Sequence, residues 1–117
     1  TGCPCSGVTL DKLVQPTILT ILSKGPLHGY ALVEKLGDVS VLGDLKPDAS
    51  GVYRFLKTME KKGLVVSSWD TSQSGPARKT YEITPAGERC LRTWISTLEI
   101  YRDGINALLR AARKAAE

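Results

Sequence analysis

The first half of the chain alternates short apolar stretches with stretches that contain glycine or proline, a pattern typical of short helices joined by turns. Apolar residues at helical spacing predict a first helix over 16–24 and a second over 30–36, each followed by a glycine. A short helical turn is expected at about 10–14, and the glycines and proline of 37–48 predict a loop. This loop leads to a third helical stretch.

The third helix is predicted to begin at residue 49 or 50 and to end before Gly63, because apolar residues recur there every three or four positions. Gly63 suits the left-handed backbone that often follows the last helical residue. The opposite face of this helix carries hydroxyl and basic side chains, namely Ser50, Tyr53, Arg54, Lys57 and Lys61. One face is therefore expected in the core, and the other is either a binding surface or simply a solvated face.

Two β-rich runs, 64–69 and 80–83, are separated by the turn formers Ser74, Gly75 and Pro76, which predicts a hairpin with a long tip. Arg78 and Lys79 follow the tip together. Two cations on an exposed hairpin tip can reach phosphate oxygens, whereas burying them in a core would cost a large desolvation energy. The alternative for this segment is a solvated basic loop.

The last helix is predicted to begin at Thr84 and Pro85, a cap followed by a first-turn proline, and to extend to about Ala115. Its apolar residues follow a heptad pattern, which predicts a seam for a partner helix. We name this set the seam: Leu91, Trp94, Leu98, Tyr101, Ile105 and Leu108. The partner is expected to be a second protomer, and burial within the monomer is the alternative. Gly104 interrupts the pattern.

The order helix, helix, helix, hairpin, long helix predicts a mainly α fold with a small β-hairpin, the α+β winged helix-turn-helix. In that fold the third helix enters the major groove of DNA and the hairpin, or wing, touches the backbone beside it. We expect an N-terminal arm over 1–15, a DNA-binding domain over 16–86 and a dimerisation helix over 87–117. The candidate DNA contacts are Ser50, Tyr53, Arg54, Lys57, Lys61, Arg78 and Lys79.

Charge supports a polyanion partner. The chain of 117 residues has a net charge of +4, and the range 50–80 holds six lysines and arginines against two acids. A basic surface that serves only solubility is the alternative.

No run of eighteen apolar residues and no secretory signal occurs in the printed sequence, so a cytoplasmic location is expected. An enzyme is not predicted, because neither a nucleophile paired with a base nor a phosphate-binding glycine loop is present.

The cysteines and the histidine give weaker indications. Cys3 and Cys5 are separated only by Pro4, so an ordinary disulfide framework is not expected. These two thiols and Cys90 would bind a soft metal if the arm packed against the last helix, but a fourth ligand is missing and inert thiols are the favoured interpretation. His28 is expected to be structural, and no cofactor is predicted.

Three stretches, GPLHGY (25–30), KPDASGVYRFLKTMEKKGLV (46–65) and SGPARKTYEITPAGE (74–88), resemble the PadR-like bacterial transcriptional regulators. The resemblance covers roughly 16–95. It implies a homodimeric winged-helix repressor whose long C-terminal helix makes the dimer. It also implies DNA backbone contacts by the equivalents of Tyr53, Arg78 and Lys79.

Some positions depart from the family pattern. Members often have proline-glycine-serine where this chain has Ala49-Ser50-Gly51, and a proline where it has Arg54. The single C-terminal helix resembles the shorter branch of the family, without a larger effector-binding domain. We expect a repressor that is released by an effector. Trp94 is interpreted either as part of a small-molecule pocket between protomers or as a residue of the interface core. The alternative function is a winged-helix module that binds an acidic protein without reading DNA.

Overall fold

The computed structural model describes residues 12–39, 48–71 and 75–117, which form four helices and three strands. The elements in chain order are α1 (Val14–Leu22), β1 (Leu27–His28), α2 (Gly29–Gly37), α3 (Ala49–Lys61), β2 (Val65–Asp70), β3 (Arg78–Ile83) and α4 (Pro85–Ala116). The predicted α+β fold and its order of helices and hairpin are confirmed. The arm before residue 12, most of the expected loop and the centre of the hairpin tip lie outside the described residues.

Local capping explains where α3 and α4 begin. The Asp48 carboxylate accepts a hydrogen bond of 2.8 Å from the Gly51 N–H at the start of α3. Thr84 caps α4 in the same way, since its hydroxyl oxygen accepts from the Gly87 N–H at 2.9 Å. That hydroxyl also donates to the Gly63 carbonyl at 2.6 Å, which ties α4 to the end of α3. Gly63 has the expected left-handed backbone, with φ of 76°.

The bounds of α1 and α2 differ slightly from the prediction. Helix α1 begins two residues before Pro16 and ends at Leu22, because a proline is tolerated throughout the first turn, where its missing N–H has no helical partner. Gly37 is the last residue of α2 rather than a left-handed stop, and the chain leaves the helix at Asp38. The identity of both helices is unaffected.

The sheet has three antiparallel strands in the order β1-β3-β2. Strand β1 was not predicted, because two residues are too short to show an alternating pattern. It exists through its pairing with β3, where Leu27 lies opposite Tyr81 and His28 opposite Thr80. Strand β3 begins two residues earlier than predicted, β2 is shifted by one residue at the same length, and their pairing brings Trp69 opposite Lys79.

The core is formed by the apolar faces of α1, α2 and α3 and by one face of the sheet. Its buried side chains are Val14, Ile18, Leu19, Leu22, Leu32, Leu36, Val52, Leu56, Met59, Val65 and Tyr81. The apolar face predicted for α3 is therefore inside, and the basic face of that helix is left on the surface. The core thus sets the direction in which the candidate DNA contacts point.

Helix α4 leaves the core part-way along its length. Cys90, Leu91 and Trp94 pack against the core, and the Trp94 indole N–H donates to Gln15 Oε1 at 3.1 Å. Every residue from 101 onward is exposed. The projecting helix gives the structure a long axis of 62 Å against 31 and 21 Å across. None of the helices in the described ranges has the length and apolar character needed to span a membrane.

Candidate nucleic-acid interface

The polar face of α3 carries all five of the side chains predicted from the helix, and all five are exposed. Ser50 and Arg54 lie on the first two turns, and Lys57 and Lys61 continue the same side of the helix. Because the opposite side is buried, these side chains have no route into the protein interior. The helix therefore presents hydroxyls at its start and cations along its length.

A cleft of about 1140 Å³ separates α3 from the hairpin. Within the described ranges its lining has four aromatic and four basic side chains, one acid and one histidine: Tyr30, Tyr53, Trp69, Tyr81, Lys57, Lys61, Arg78, Lys79, Glu60 and His28. The structure thus brings together five of the seven predicted DNA contacts around one opening. Ser50 and Arg54 lie outside its lining, on the exposed face of α3.

The two wing cations, which follow the tip together in the sequence, have different contacts in the structure. Strand β3 begins at Arg78, so the side chains of Arg78 and Lys79 leave the strand in opposite directions, although Arg78, at the end of the strand, still lines the cleft. Lys79 is on the face that contains Tyr81, and its ammonium lies 5.9 Å from the Trp69 ring centre and 5.8 Å from that of Tyr81. Arg78 is exposed and Lys79 is half-buried. The difference arises because the strand reaches two residues further toward the tip than the sequence pattern indicates.

The aromatic side chains of the cleft were not predicted as part of the site, apart from Tyr53. Trp69 is 66% exposed and Tyr30 is 72% exposed. Two large aromatic side chains that line the same cleft and are both this exposed are unusual in a folded protein. The register of the hairpin would have identified Trp69, since it lies directly opposite Lys79. That register depends on the tip length, which the turn residues alone do not fix.

Tyr53 lies against the first residue of α2. A Cβ added to Gly29 would come within 2.7 Å of the Tyr53 hydroxyl oxygen, so the glycine leaves the space that this ring occupies. His28, the residue before Gly29, has its Nδ1 3.1 Å from the Thr80 hydroxyl and its Nε2 3.8 Å from Asp70 Oδ2. The expected structural role of the histidine is thus a link between the start of α2 and the wing.

Among the residues that the structure describes, Glu60 is the one carboxylate that lines the cleft. Its Oε2 accepts a hydrogen bond of 2.7 Å from the Ser67 hydroxyl, which joins α3 to β2. Burial raises the pKa of the Tyr81 hydroxyl above its usual value near 10.0, and the negative charges of Glu60 and ionised Tyr53 add to the effect. Tyr81 is therefore neutral at physiological pH and forms a fixed part of the cleft floor.

The seam divides into two parts. Leu91 and Trp94 pack against the core of their own protomer, as the monomer-burial alternative expected for them. Leu98 is half-buried, whereas Tyr101, Ile105 and Leu108 are between 51% and 68% exposed. The exposed apolar surface of α4 also includes residues that the heptad pattern did not select: Ile95, Ile100 and Leu109.

The candidate thiol site is only partly within the described residues. Cys90 is a half-buried free cysteine, and Cys3 and Cys5 lie outside the ranges that the structure describes. Within those ranges no cluster of three or more potential metal ligands occurs. Nothing in the geometry of Cys90 therefore adds to the metal hypothesis.

Solved structures of transcriptional regulators have the same fold. A protein of Thermoplasma acidophilum proposed to be a transcriptional regulator has 33% sequence identity and a TM-score of 0.74, covering 86% of this chain and 94% of its own. A PadR family transcriptional regulator of Eggerthella lenta has 30% identity and a TM-score of 0.70 over 90% of this chain and 91% of its own. Bacillus subtilis PadR in complex with operator DNA shares the fold at 23% identity and a TM-score of 0.62, over 71% of this chain and 46% of its own. The comparison with curated protein sequences gave no match.

The family model described as the transcriptional regulator PadR-like family matches residues 18–93, which include α2, α3, the wing and the first turns of α4. That range contains the cleft and all of the predicted DNA contacts. The match agrees with the three stretches that carried the resemblance in the sequence. The chain belongs to the PadR-like family of transcriptional regulators.

Proposed function

We propose that this chain is a sequence-specific repressor that binds double-stranded DNA as a homodimer and is released by a small-molecule effector. The observation that carries the proposal is the exposed basic face of α3 beside a cationic wing. The operator complex of Bacillus subtilis PadR supports a DNA-binding role for this fold. A cytoplasmic location follows from that role.

In the proposed complex, α3 enters the major groove. Its 13 residues correspond to about 20 Å of helix, enough to reach several base pairs. Ser50 and Arg54, at the N-terminal end, are assigned to base edges, while Tyr53, Lys57 and Lys61 are assigned to phosphates. The wing lies on the backbone beside the groove, with Arg78 and Lys79 as its basic residues. Residues 16–86 form the DNA-binding domain in this proposal.

The dimer is assigned to the helix over 87–117. An apolar stripe that its own domain leaves uncovered needs a second surface, because exposed apolar area of this extent is unfavourable in water. The 32 residues of α4 extend about 48 Å, and a projecting helix of that kind is stabilised mainly by packing. Two copies would place two α3 helices about one DNA turn, roughly 34 Å, apart on a pseudo-palindromic site.

The effector is assigned to the region between protomers near Trp94. One edge of that indole is already hydrogen-bonded to Gln15, so the ring has a fixed orientation. A flat ligand that stacks on a fixed ring loses less conformational freedom on binding. The fixed orientation of the Trp94 ring is the observation that favours an effector site over a tryptophan that only packs in the interface core.

DNA binding is tested by selecting bound duplexes from a random pool and measuring their affinity by fluorescence polarisation. We expect affinity to fall by about three to five decades between 50 and 200 mM salt, for roughly 6 to 10 phosphate contacts per dimer. Arg54→Ala should change the selected motif, whereas Arg92→Ala, which removes an exposed arginine of α4, should not. Binding without salt dependence, or no selected motif, would favour the protein-interaction alternative.

The dimer is tested separately by light scattering on two variants of α4. Ile105 is 61% exposed in the protomer, so Ile105→Asp leaves the core intact and places an unpaired carboxylate in the proposed interface. We expect a monomer with much weaker operator binding. The control is Asn106→Asp, which adds the same charge one position further along the helix. A monomeric parent, or an intact Ile105→Asp dimer, would remove the seam from the proposal.

A further inference from the structure

Three side chains on the α3-facing side of the wing form a continuous stack, which we call the aromatic ladder: Trp69, Lys79 and Tyr81. Trp69 lies directly across the hairpin from Lys79, and Tyr81 is two residues further along β3 on the same face. The Lys79 ammonium lies 5.9 Å from one ring centre and 5.8 Å from the other. Both distances are within the range of about 6 Å over which a ring attracts a cation.

The two ends of the ladder are in different environments. Tyr81 is 5% exposed and belongs to the core, whereas Trp69 is 66% exposed and lines the cleft. Lys79 therefore connects a ring that the core fixes to a ring that the core does not fix. Its charge is already engaged within the protein, unlike a lysine that extends freely toward solvent.

The exposed Trp69 ring lies in a group of exposed rings rather than alone. Tyr53 and Tyr30 line the same cleft, with Tyr53 42% exposed. Duplex DNA hides the faces of its bases but leaves apolar edges of its sugars on the surface beside the phosphates. An indole held at the side of a cationic wing is suited to pack on such a sugar while neighbouring cations hold the phosphates.

We propose that Trp69 is a DNA-contacting residue, and that Lys79 is a positioning residue which holds its ring rather than a phosphate ligand. The phosphate contact of the wing then belongs to Arg78, the exposed cation at the first position of β3. This inference rests on the proposed DNA-binding function and divides the roles of two adjacent cations. It predicts that removing Lys79 acts through Trp69.

The test compares operator affinity over a range of salt concentrations for Lys79→Met, Trp69→Leu, Trp69→Phe and Arg78→Met. Lys79→Met and Trp69→Leu should each weaken binding by about 5- to 30-fold in a dimer with two wings, with the parent's salt dependence. Their double variant should be no weaker than the worse single variant. Arg78→Met should instead reduce the slope of log affinity against log salt by about two per dimer.

The Trp69→Phe variant tests whether any aromatic ring at this position is sufficient for binding. It keeps an aromatic face, so we expect affinity within about threefold of the parent. The chain has two tryptophans, and this variant leaves only Trp94, so the fluorescence change on DNA binding should be lost. A Trp69→Phe protein that keeps the full fluorescence change would contradict the DNA contact.

A measurement without DNA distinguishes this inference from the proposed function. Amide hydrogen exchange in β2 and β3 should increase in Lys79→Met and Trp69→Leu alike, and should be unchanged in Arg78→Met. The inference is overturned if Lys79→Met lowers the salt slope as Arg78→Met does, if the double variant multiplies the single effects, or if exchange in the hairpin is unaffected. A parent that binds no DNA overturns the proposed function and the Trp69 contact together, while the exchange result still decides the role of Lys79.

Discussion

Two glycines of α4 predict opposite effects of the same substitution on stability. A Cβ added at Gly87 would clash with the Leu64 carbonyl oxygen and lie 2.7 Å from Ile83 Cγ1, whereas one added at Gly104 would have no atom within 4 Å. The Leu64 carbonyl cannot move freely, because it accepts a hydrogen bond of 3.1 Å from the Thr84 N–H. Gly87 is therefore required by a close backbone contact, and Gly104 is not.

The magnitudes follow from two competing effects. Replacing glycine by alanine within a helix stabilises it by up to about 1 kcal/mol. At Gly87 the overpacking costs about 1–3 kcal/mol, and opening the Leu64 to Thr84 hydrogen bond costs about 1 kcal/mol more. We expect Gly87→Ala to lower the free energy of unfolding by about 1–3 kcal/mol and Gly104→Ala to raise it by about 1 kcal/mol.

Guanidinium unfolding followed by circular dichroism measures both variants, at one protein concentration because the stability of a dimer depends on concentration. In thermal unfolding, also followed by circular dichroism, the melting temperatures of the two variants should differ by roughly 8–16 °C at about 4 °C per kcal/mol. A Gly87→Ala protein as stable as the parent would show that the Leu64 carbonyl can move at little cost. A shift of both variants in the same direction would refute the steric argument.

Three further changes test the capping, core and ionisation of the domain. Thr84→Ala should cost about 0.5–2 kcal/mol in chemical unfolding because α4 loses its cap, while Thr93→Ala, an exposed position of the same helix, should be nearly neutral. Leu56→Ala should cost about 2–5 kcal/mol, since this side chain is fully buried. Because the pKa of Tyr81 is raised in the folded state, unfolding releases its proton once the pH exceeds about 10, so the free energy of unfolding should fall as the pH rises above that value. Tyr81→Phe should flatten that fall and Tyr101→Phe, at an exposed position, should leave it; equal pH profiles for the two variants would contradict the assignment.

Local patterns in the sequence were sufficient to predict the helices, because a helix depends on spacings of three and four residues and on caps at its ends. The amphipathic face of α3 predicted which of its side chains are exposed, and the Thr84-Pro85 pair predicted the start of α4. Gly63 likewise indicated where α3 ends. These features lie within one element, so neighbouring residues determine them.

The arrangement of the site depended on contacts between distant parts of the chain. Strand β1 exists because Leu27 meets Tyr81, and no pattern in two residues reports a partner more than fifty positions away. The pairing with β2 likewise extended β3 as far as Arg78, so that Arg78 and Lys79 are successive strand residues with opposite side-chain directions. It also placed Trp69 over the Lys79 ammonium.

In helix α4, too, the sequence predicted one feature and the tertiary structure decided another. The heptad pattern identified its apolar side from the sequence, but the position of α1 decided that Leu91 and Trp94 pack within the protomer while Ile105 remains exposed. Periodicity shows which side of a helix is apolar, because it depends only on the helical repeat. What covers each part of that side depends on the path of the chain. That path brings α1 beside the first turns of α4, and no described element of the same protomer lies beside the rest of the helix.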